Sequence, residues 1–252
     1  MIYLIQDNLF REFHQESLIS ALDKFGLEYE IFKLKASIDE IEFQTNRKDV
    51  FVFGAVKSAH ISKKYNWCPG SFYNENHDYI VYSKYYRDNM LNWDSKVQKI
   101  SDPVEINGPF FARPTGDNKL FKGEVFENSK LWDVSVSYYL NYNKKATGDE
   151  MVQISSVKNI MQEYRCFVVK GEVITSSMYK LGDVVLYKRC WDDDIIEFAN
   201  NMCTIYQPAE AFVIDICRTE EGLKIVEINC INCSGFYDID IQKLILSLEE
   251  NF

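Results

Sequence analysis

Apolar residues recur in short runs and in helical spacing through the first hundred positions of the chain. Runs of consecutive apolar residues predict β-strands, and apolar residues three and four positions apart, such as Leu18, Leu22 and Phe25, predict the buried side of a helix. The predicted elements are strands at 2–5, 29–34 and 50–53 and helices at 12–24 and 79–91. This order is typical of a small α/β domain, which we predict over residues 1–100.

From residue 101 onward, strands predominate and follow one another in pairs. The predicted elements are strands at 108–113, 151–155, 163–170, 172–179, 184–188, 213–216 and 226–229 and helices at 129–142, 192–206 and 240–248. Short turns at Lys170-Gly171 and at Thr219–Gly222 join neighbouring strands into hairpins. We therefore predict a second domain, of the α+β class, over residues 101–252.

The last hairpin carries polar side chains in strands that are otherwise apolar. Asp215 lies in one strand, and Glu227 and Asn229 share a face of the other, because side chains alternate along a strand. A loop of three or five residues would place Asp215 directly opposite Glu227, with Cβ atoms about 5 Å apart. Two carboxylates at this distance repel each other unless a cation or a shared proton lies between them. Two carboxylates and an amide suit Mg²⁺, with substrate phosphates completing its ligand shell.

Composition and charge limit the classes of partner. The chain has 252 residues, of which 46% are hydrophobic, and this is enough to form a substantial core. No run approaches the ~18 apolar residues needed to cross a bilayer, and the N-terminus does not resemble a signal peptide. We therefore expect a cytoplasmic protein with no membrane partner. The net charge of -10 argues against nucleic acid, because binding to phosphates requires a concentrated basic patch, and the pair Lys144-Lys145 extends no further.

The cysteines and histidines show no arrangement typical of a metal site. Five of the seven cysteines lie in apolar or strand-like contexts, which favours reduced, buried thiols. Cys230 and Cys233 form a C-x-x-C pair, but no second such pair or histidine pair accompanies it, so zinc or dithiol chemistry is disfavoured. The three histidines are not at metal-ligand spacing, and structural roles explain them better than catalysis.

Basic side chains that could bind nucleotide phosphates occur in several strands and loops. The candidates are Arg113, Lys119, Lys122, Lys158, Arg165 and Lys180. Arg165 stands out because it shares one face of an apolar strand with Glu163, although an internal salt bridge or a solvent-facing position would explain the same pattern. The sequence contains neither a G-x-x-x-x-G-K-[ST] nor a G-x-G-x-x-G motif, so a P-loop or dinucleotide-binding fold is not indicated.

In combination, these motifs resemble the ATP-grasp superfamily, and most closely a small clade in which arginine replaces the usual lysine on the phosphate-binding strand. The resemblance rests on Phe110-Phe111-Ala112-Arg113-Pro114, Asp117-Asn118-Lys119, Val152-Gln153-Ile154-Ser155, Glu163-Tyr164-Arg165, Asp215, Glu227-Ile228-Asn229 and Ser234-Gly235. It covers about residues 105–250, and the segments Phe53–Lys57 and Trp67–Gly70 also look similar to that clade.

The resemblance implies an ATP-grasp fold, in which two α+β subdomains hold ATP between them, preceded here by the small α/β domain. It implies phosphate contacts from Arg113, adenine contacts from the backbone of a hinge, and a mobile loop over the phosphates. The hinge would consist of Gln153, Ile154 and Ser155, the loop would contain Lys119, and Lys158 is a further candidate for binding the nucleotide. Asp215, Glu227 and Asn229 match Mg²⁺ ligands, and Arg165 and Lys180 match positions that face the transferred phosphoryl group and the acceptor.

The expected function is an ATP- and Mg²⁺-dependent ligase that activates a carboxylate as an acylphosphate for attack by an amine and releases ADP. Peptides and proteins are among the acceptors considered. The changes Glu227→Gln and Arg165→Ala are each expected to abolish turnover with little loss of fold. One alternative is a kinase that phosphorylates a small molecule. Another is a nucleotide- or partner-binding module without turnover, for which the aromatic-rich segment 65–86 offers an interface, although such aromatics more often lie in a core.

Overall fold

The helices and strands of the chain are taken from a computed structural model that describes residues 1–7, 9–10, 12–34, 41, 43–116, 121–143 and 146–252. The first half contains β1 (Ile2–Gln6), α1 (Glu12–Phe25), β2 (Glu28–Phe32), β3 (Asp49–Phe53), α2 (Val56–Tyr65), β4 (Cys68–Gly70), α3 (Tyr79–Tyr86), β5 (Lys96–Lys99), β6 (Phe110–Pro114) and β7 (Glu124–Phe126). The second half contains α4 (Ser129–Tyr142), β8 (Met151–Ser156), β9 (Gln162–Val169), β10 (Glu172–Leu181), β11 (Val184–Arg189), α5 (Asp193–Ile205), β12 (Ala211–Thr219), β13 (Gly222–Asn229) and α6 (Ile241–Asn251).

The strands form three sheets. The N-terminal sheet has the order β2-β1-β3-β4 and is parallel. The middle sheet has the order β5-β8-β6-β7, and the C-terminal sheet has the order β11-β10-β9-β12-β13; both are antiparallel. A parallel α/β layer followed by two antiparallel layers with helices confirms the predicted combination of an α/β part and an α+β part.

One hydrophobic core is shared between the N-terminal and C-terminal sheets. Tyr3 and Phe51 of the N-terminal sheet belong to the same buried cluster as Phe167 and Val213 of the C-terminal sheet. Helices α1 and α6 contribute to this cluster, and Leu248 of α6 is fully buried in it. The two sheets therefore hold each other in place through α1 and α6, as the near-continuous apolar character of their strands requires.

The other sheet faces have cores of their own. Helices α3 and α5 cover the second face of the C-terminal sheet, and Trp132 of α4 packs among Phe110, Phe121 and Phe126 beside the middle sheet. Tyr79, Tyr82 and Tyr86 are 3%, 1% and 0% exposed, so these aromatics of the segment 65–86 lie in the core and not at an interface.

Most predicted elements are present with small differences at their ends. Helix α4 has the predicted bounds, whereas the helix predicted at 79–91 ends at Tyr86, because Arg87 has a left-handed backbone with φ 50°. Helix α2 and strands β4, β5 and β7 were not predicted. The three strands have only three or four residues, too few to show alternation, and α2 has little amphipathic pattern in its ten residues.

The division of the chain near residue 100 stays a prediction. Strand β5, at Lys96–Lys99, pairs with β8 and so belongs to the middle sheet, which is otherwise formed by later residues. In the part of the chain described above, no helix combines the length and apolar character needed to cross a membrane.

Candidate functional site

The hairpin of β12 and β13 places its two acids opposite each other. The pairing of Asp215 with Glu227 confirms the prediction, but the predicted loop length is wrong. Thr219 pairs with Gly222, so the loop has two residues, and a β-bulge after Asp215 shifts the register by one. Without the bulge, Asp215 would face Val226, and Glu227 would point to the other side of the sheet.

Asp215 is held by Arg165 from the adjacent strand β9, where the two residues are register partners. Arg165 donates from Nε to Oδ1 at 2.9 Å and from Nη2 to Oδ2 at 2.7 Å, and Nη1 donates to the Gly235 carbonyl at 3.2 Å. The side chain of Asp215 is 1% exposed and that of Arg165 is 9% exposed. Arg165 therefore makes an internal salt bridge, one of the alternatives that the sequence left open, but its partner is Asp215 and not Glu163.

Glu227 joins the middle sheet to the C-terminal sheet through an ion pair with Arg113 of β6. Its other oxygen lies 4.0 Å from Arg165 Nη2. Asn229 completes the group by donating from Nδ2 to Asp215 Oδ2 at 3.3 Å. Two carboxylates, two guanidinium groups and one amide from the strands β6, β9, β12 and β13 thus meet at one place between the two sheets. We call this group the acid–arginine cluster (Arg113, Arg165, Asp215, Glu227 and Asn229).

The two acids of this cluster differ in their ionisation. Burial raises the pKa of Asp215, and the Arg165 guanidinium opposes that rise. Burial also acts against ionisation of Glu227, but Arg113, Asn229 and Arg165 outweigh it and hold its pKa at about 2. Glu227 is therefore a permanent anion at neutral pH and needs a cation beside it in every state of the site.

The predicted hinge lies in β8 and is buried: Gln153, Ile154 and Ser155 are 1%, 2% and 3% exposed. Gln153 is the register partner of Arg113, so the middle sheet brings the hinge next to the phosphate-binding candidate. The pairing of β8 with β5 stops at Ile154, whereas its pairing with β6 continues to Ser156. Beyond Ile154, β5 no longer covers its edge of β8.

Lys180 lies beside the acid–arginine cluster but is paired with a different acid. Its Nζ is 2.9 Å from Oε1 of Glu163, and Tyr179 donates to the other oxygen of Glu163 at 2.7 Å. The Tyr179 ring is in turn 5.8 Å from Cζ of Arg165. Lys180 is thus connected to Arg165 through one carboxylate and one tyrosine.

The other predicted cations are placed differently. Lys158 contacts Asp94 and Ser156, each at 2.8 Å, so it lies at the end of the hinge and away from the carboxylates of the hairpin. Lys119, with Asp117 and Asn118, lies outside the described residues, as do Lys144 and Lys145. Lys122 is exposed.

Tyr237 is part of this site but was not predicted. Its ring lies 4.6 Å from Cζ of Arg165 and stacks between Tyr179, at 5.0 Å, and Tyr187, at 4.8 Å. The residue has a left-handed backbone with φ 53° and follows the Gly235 carbonyl that accepts from Arg165. It lies in a segment without strand or helix periodicity, so the sequence pattern gave no signal for it.

The cysteines are free thiols, as their sequence contexts predicted. Cys166, Cys203, Cys217, Cys230 and Cys233 are buried. Within the described ranges of the chain, no three His, Cys, Asp or Glu side chains are grouped to hold a metal ion by themselves. His77 is buried, which lowers its pKa to about 4 and keeps it neutral.

Comparisons with known proteins agree with this geometry. A family model described as "ATP-grasp domain", the third family of its clade, matches residues 48–248. The fold is similar to D-alanine–D-alanine ligase from Bacillus anthracis, with TM-score 0.66, 13% identity and coverage of 99% of this chain and 96% of that one. It is also similar to D-cycloserine synthetase DcsG, with TM-score 0.62, 10% identity and coverage of 99% and 98%. For the ATP-grasp ligase PsnB, complexed with a minimal precursor, the values are 0.59, 12%, 99% and 98%. No curated protein matches the sequence significantly.

Proposed function

The chain belongs to the ATP-grasp domain family, and from this premise we propose that it is an ATP- and Mg²⁺-dependent carboxylate–amine ligase. The observation that supports this most directly is the acid–arginine cluster. Its cations come from both the middle and the C-terminal sheet, and its anions come from one hairpin. A nucleotide held between these sheets would have its phosphates at the cluster, where both signs of charge are needed.

The side chains of the hairpin fit Mg²⁺. Asp215, Glu227 and Asn229 offer carboxylate and amide oxygens, the ligands that this ion prefers, and nucleotide phosphates would complete an octahedral shell. The set contains only two acids, so by itself it is too small to form an all-protein cage. When bound, the ion would neutralise charge on the phosphates during phosphoryl transfer.

The arginines have the complementary role. Each guanidinium neutralises one acid in the structure: Arg113 pairs with Glu227, and Arg165 pairs with Asp215. We propose that the guanidinium groups bind phosphate oxygens when the acids bind the metal, since guanidinium matches phosphate as well as carboxylate in geometry. Lys180 and Glu163 would lie next to the acceptor side of the transferred phosphoryl group.

The proposed reaction has two steps. A carboxylate oxygen attacks the γ-phosphorus, the bond to the bridging oxygen breaks, and ADP leaves with that electron pair. The amine nitrogen then attacks the acyl carbon, the acyl carbon–oxygen bond breaks, phosphate leaves, and the amine gives up its proton to water. In this proposal the chain holds the reactants in line and stabilises the phosphoryl charge.

Adenine would bind at the hinge. We assign its backbone contacts to the end of the hinge at Ser155 and Ser156, because Gln153 and Ile154 have strand neighbours on both sides. Lys158 extends the same end of β8, where it would reach the nucleotide, and Lys119 stays a proposed phosphate ligand outside the described residues. We also propose that the domain boundary lies before β5, which keeps the middle sheet in one unit.

The products of ATP turnover test this function. The full chain is incubated with Mg²⁺, ATP and pools of candidate carboxylates and amines, and the nucleotides and acceptors are analysed by mass spectrometry. We expect ADP, phosphate and a new amide in wild type, and none of these in Glu227→Gln. AMP with pyrophosphate would contradict the acylphosphate route. A phosphorylated acceptor without amide would indicate a kinase instead.

A further inference from the structure

Tyr237 also lines a second cleft, next to the acid–arginine cluster. This cleft has a volume of about 290 Å³ and lies between α1, the end of β11 and the loop that leads into α6. Tyr237 contacts Arg165 on one side and stacks with Tyr187, another lining residue. The volume is near the lower limit for ligand pockets in proteins, so it suits a small molecule. The proposed function leaves this cleft without a role.

The floor and walls of the cleft are mostly aromatic. Phe236 and His14 lie at its base and are 3% and 4% exposed, and Phe13 and Tyr187 form further parts of its surface. The rings of His14 and Phe236 are 6.3 Å apart, and those of His14 and Tyr187 are 6.4 Å apart. These walls would bury an apolar or aromatic side chain.

The rim of the cleft carries one cation and one anion with unused hydrogen-bonding capacity. Arg189 donates from Nη2 to the Ile239 carbonyl at 3.1 Å, whereas its Nη1 has an acid, Asp240, only at 3.8 Å. Asp238 accepts from the Arg189 backbone through Oδ2 at 2.9 Å, whereas its Oδ1 is 3.9 Å from Arg189 Nη2. Among the described residues, these longer contacts are the nearest ion-pair partners of Nη1 and Oδ1, and the two side chains are 59% and 52% exposed.

We propose that this cleft binds a free α-amino acid with an apolar or aromatic side chain. Its carboxylate would accept from Arg189, its ammonium group would donate to Asp238, and its side chain would pack against Phe13, Tyr187 and Phe236. A zwitterion matches both rim charges at once, whereas a residue inside a peptide carries neither. The inference rests on the proposed function, because a free amino acid supplies the kinds of group that such a ligase joins.

Saturation-transfer NMR on the full chain tests the proposal with the twenty standard L-amino acids and their D-enantiomers as probes. Spectra are recorded with Mg²⁺ and a non-hydrolysable ATP analogue, and again without nucleotide. The strongest binder is then titrated beside its N-acetyl and its amide derivatives, each of which lacks one of the two charges. We expect each derivative to bind about tenfold more weakly or worse, because each loses a charge-assisted hydrogen bond.

The variants Arg189→Gln and Asp238→Asn should weaken the same amino acid by a similar factor. Arg47→Gln is the matched control, because Arg47 is also an exposed arginine paired with acids, but it lies on the N-terminal sheet. It should bind like wild type, and thermal unfolding checks that all three variants are folded. The proposal is wrong if no amino acid binds, if the derivatives bind as tightly as the free amino acid, or if both variants bind like wild type. Loss of nucleotide binding alone would contradict the proposed function and not the cleft, because the nucleotide-free titration tests the cleft separately.

Discussion

At the scale of single residues, each acid of the last hairpin has an arginine from another strand as its partner, but the two pairs differ in exposure. Glu227 is 20% exposed and pairs with Arg113 across the two sheets, whereas Asp215 is 1% exposed and pairs with Arg165 inside the C-terminal sheet. Loss of charge at these two places therefore has different consequences. At Glu227 it affects mainly the nucleotide site, and at Arg165 it affects the fold as well.

Glu227→Gln should lower ATP turnover about 10²-fold or more, a barrier increase of about 3 kcal/mol, because it removes a proposed ligand of the metal. Circular dichroism should remain that of wild type. ADP formation under Mg²⁺-ATP is the measurement, and Glu221→Gln, in the exposed turn of the same hairpin, is the control. Turnover of Glu227→Gln near that of the control would remove Glu227 from the site.

Arg165→Ala should destabilise the fold, contrary to the expectation from the sequence that the change would leave the fold nearly intact. The change leaves the Asp215 carboxylate buried without its two hydrogen bonds, which typically costs about 3–5 kcal/mol. Urea unfolding measures the loss. Lys99→Ala, which removes an exposed ion pair with Asp149, should cost less than about 1 kcal/mol. Equal stability of the two variants would show that the buried pair is not needed for folding.

Stability should depend on pH through Glu227. Its pKa is lowered in the folded chain from 4.5 to about 2, so the folded state binds this proton less tightly than the unfolded state does. The stabilisation is therefore fully present above about pH 4.5 and is lost as the pH falls towards 2. Urea midpoints of wild type and Glu227→Gln should converge over that interval. A constant difference between them down to pH 2 would contradict the assignment.

At the scale of elements, the position of Arg113 depends on how the middle sheet packs against α4. Trp132 of that helix is 2% exposed and contacts Phe110 and Phe126, which flank Arg113 on β6 and its partner strand. The middle sheet therefore places one phosphate-binding candidate through aromatic packing.

Trp132→Ala should destabilise the fold by about 3–5 kcal/mol, because it opens a cavity among packed aromatic rings. Nucleotide affinity should fall with it, since β6 would no longer be held in place. Val134→Ala on the same helix is the control, since Val134 is 67% exposed, and it should change stability by less than about 0.5 kcal/mol. Urea unfolding and calorimetric titration with Mg²⁺-ATP give the two quantities. Unchanged nucleotide affinity in folded Trp132→Ala would show that α4 does not position Arg113.

At the scale of the whole molecule, the N-terminal sheet is bound to the C-terminal sheet by a common core. Leu18 of α1 and Leu248 of α6 are both fully buried there, together with residues of β3 and β9. The small α/β part therefore has few apolar contacts that are only its own on this face, and it should not unfold independently.

Leu248→Ala should destabilise both sheets together, by about 2–5 kcal/mol. Hydrogen exchange in increasing urea, followed by mass spectrometry of peptides from β3 and β9, should show one common opening energy that falls equally in the variant. Leu246→Ala, at a 42% exposed position of α6, is the comparison. Separate opening energies for the two peptides would show that the N-terminal sheet is an independent unit.

The sequence by itself determined the fold class, most of the elements and the pairing of Asp215 with Glu227, because apolar periodicity and strand alternation are local properties of the chain. It also placed Arg113, Arg165 and the hinge in strands that the fold brings together. Only the tertiary structure decided which charges pair, since Arg165 meets Asp215 and not Glu163, and that the register depends on a β-bulge. The cleft beside Tyr237 was likewise beyond sequence patterns, because its residues come from α1, β11 and the loop before α6, and only packing makes them neighbours.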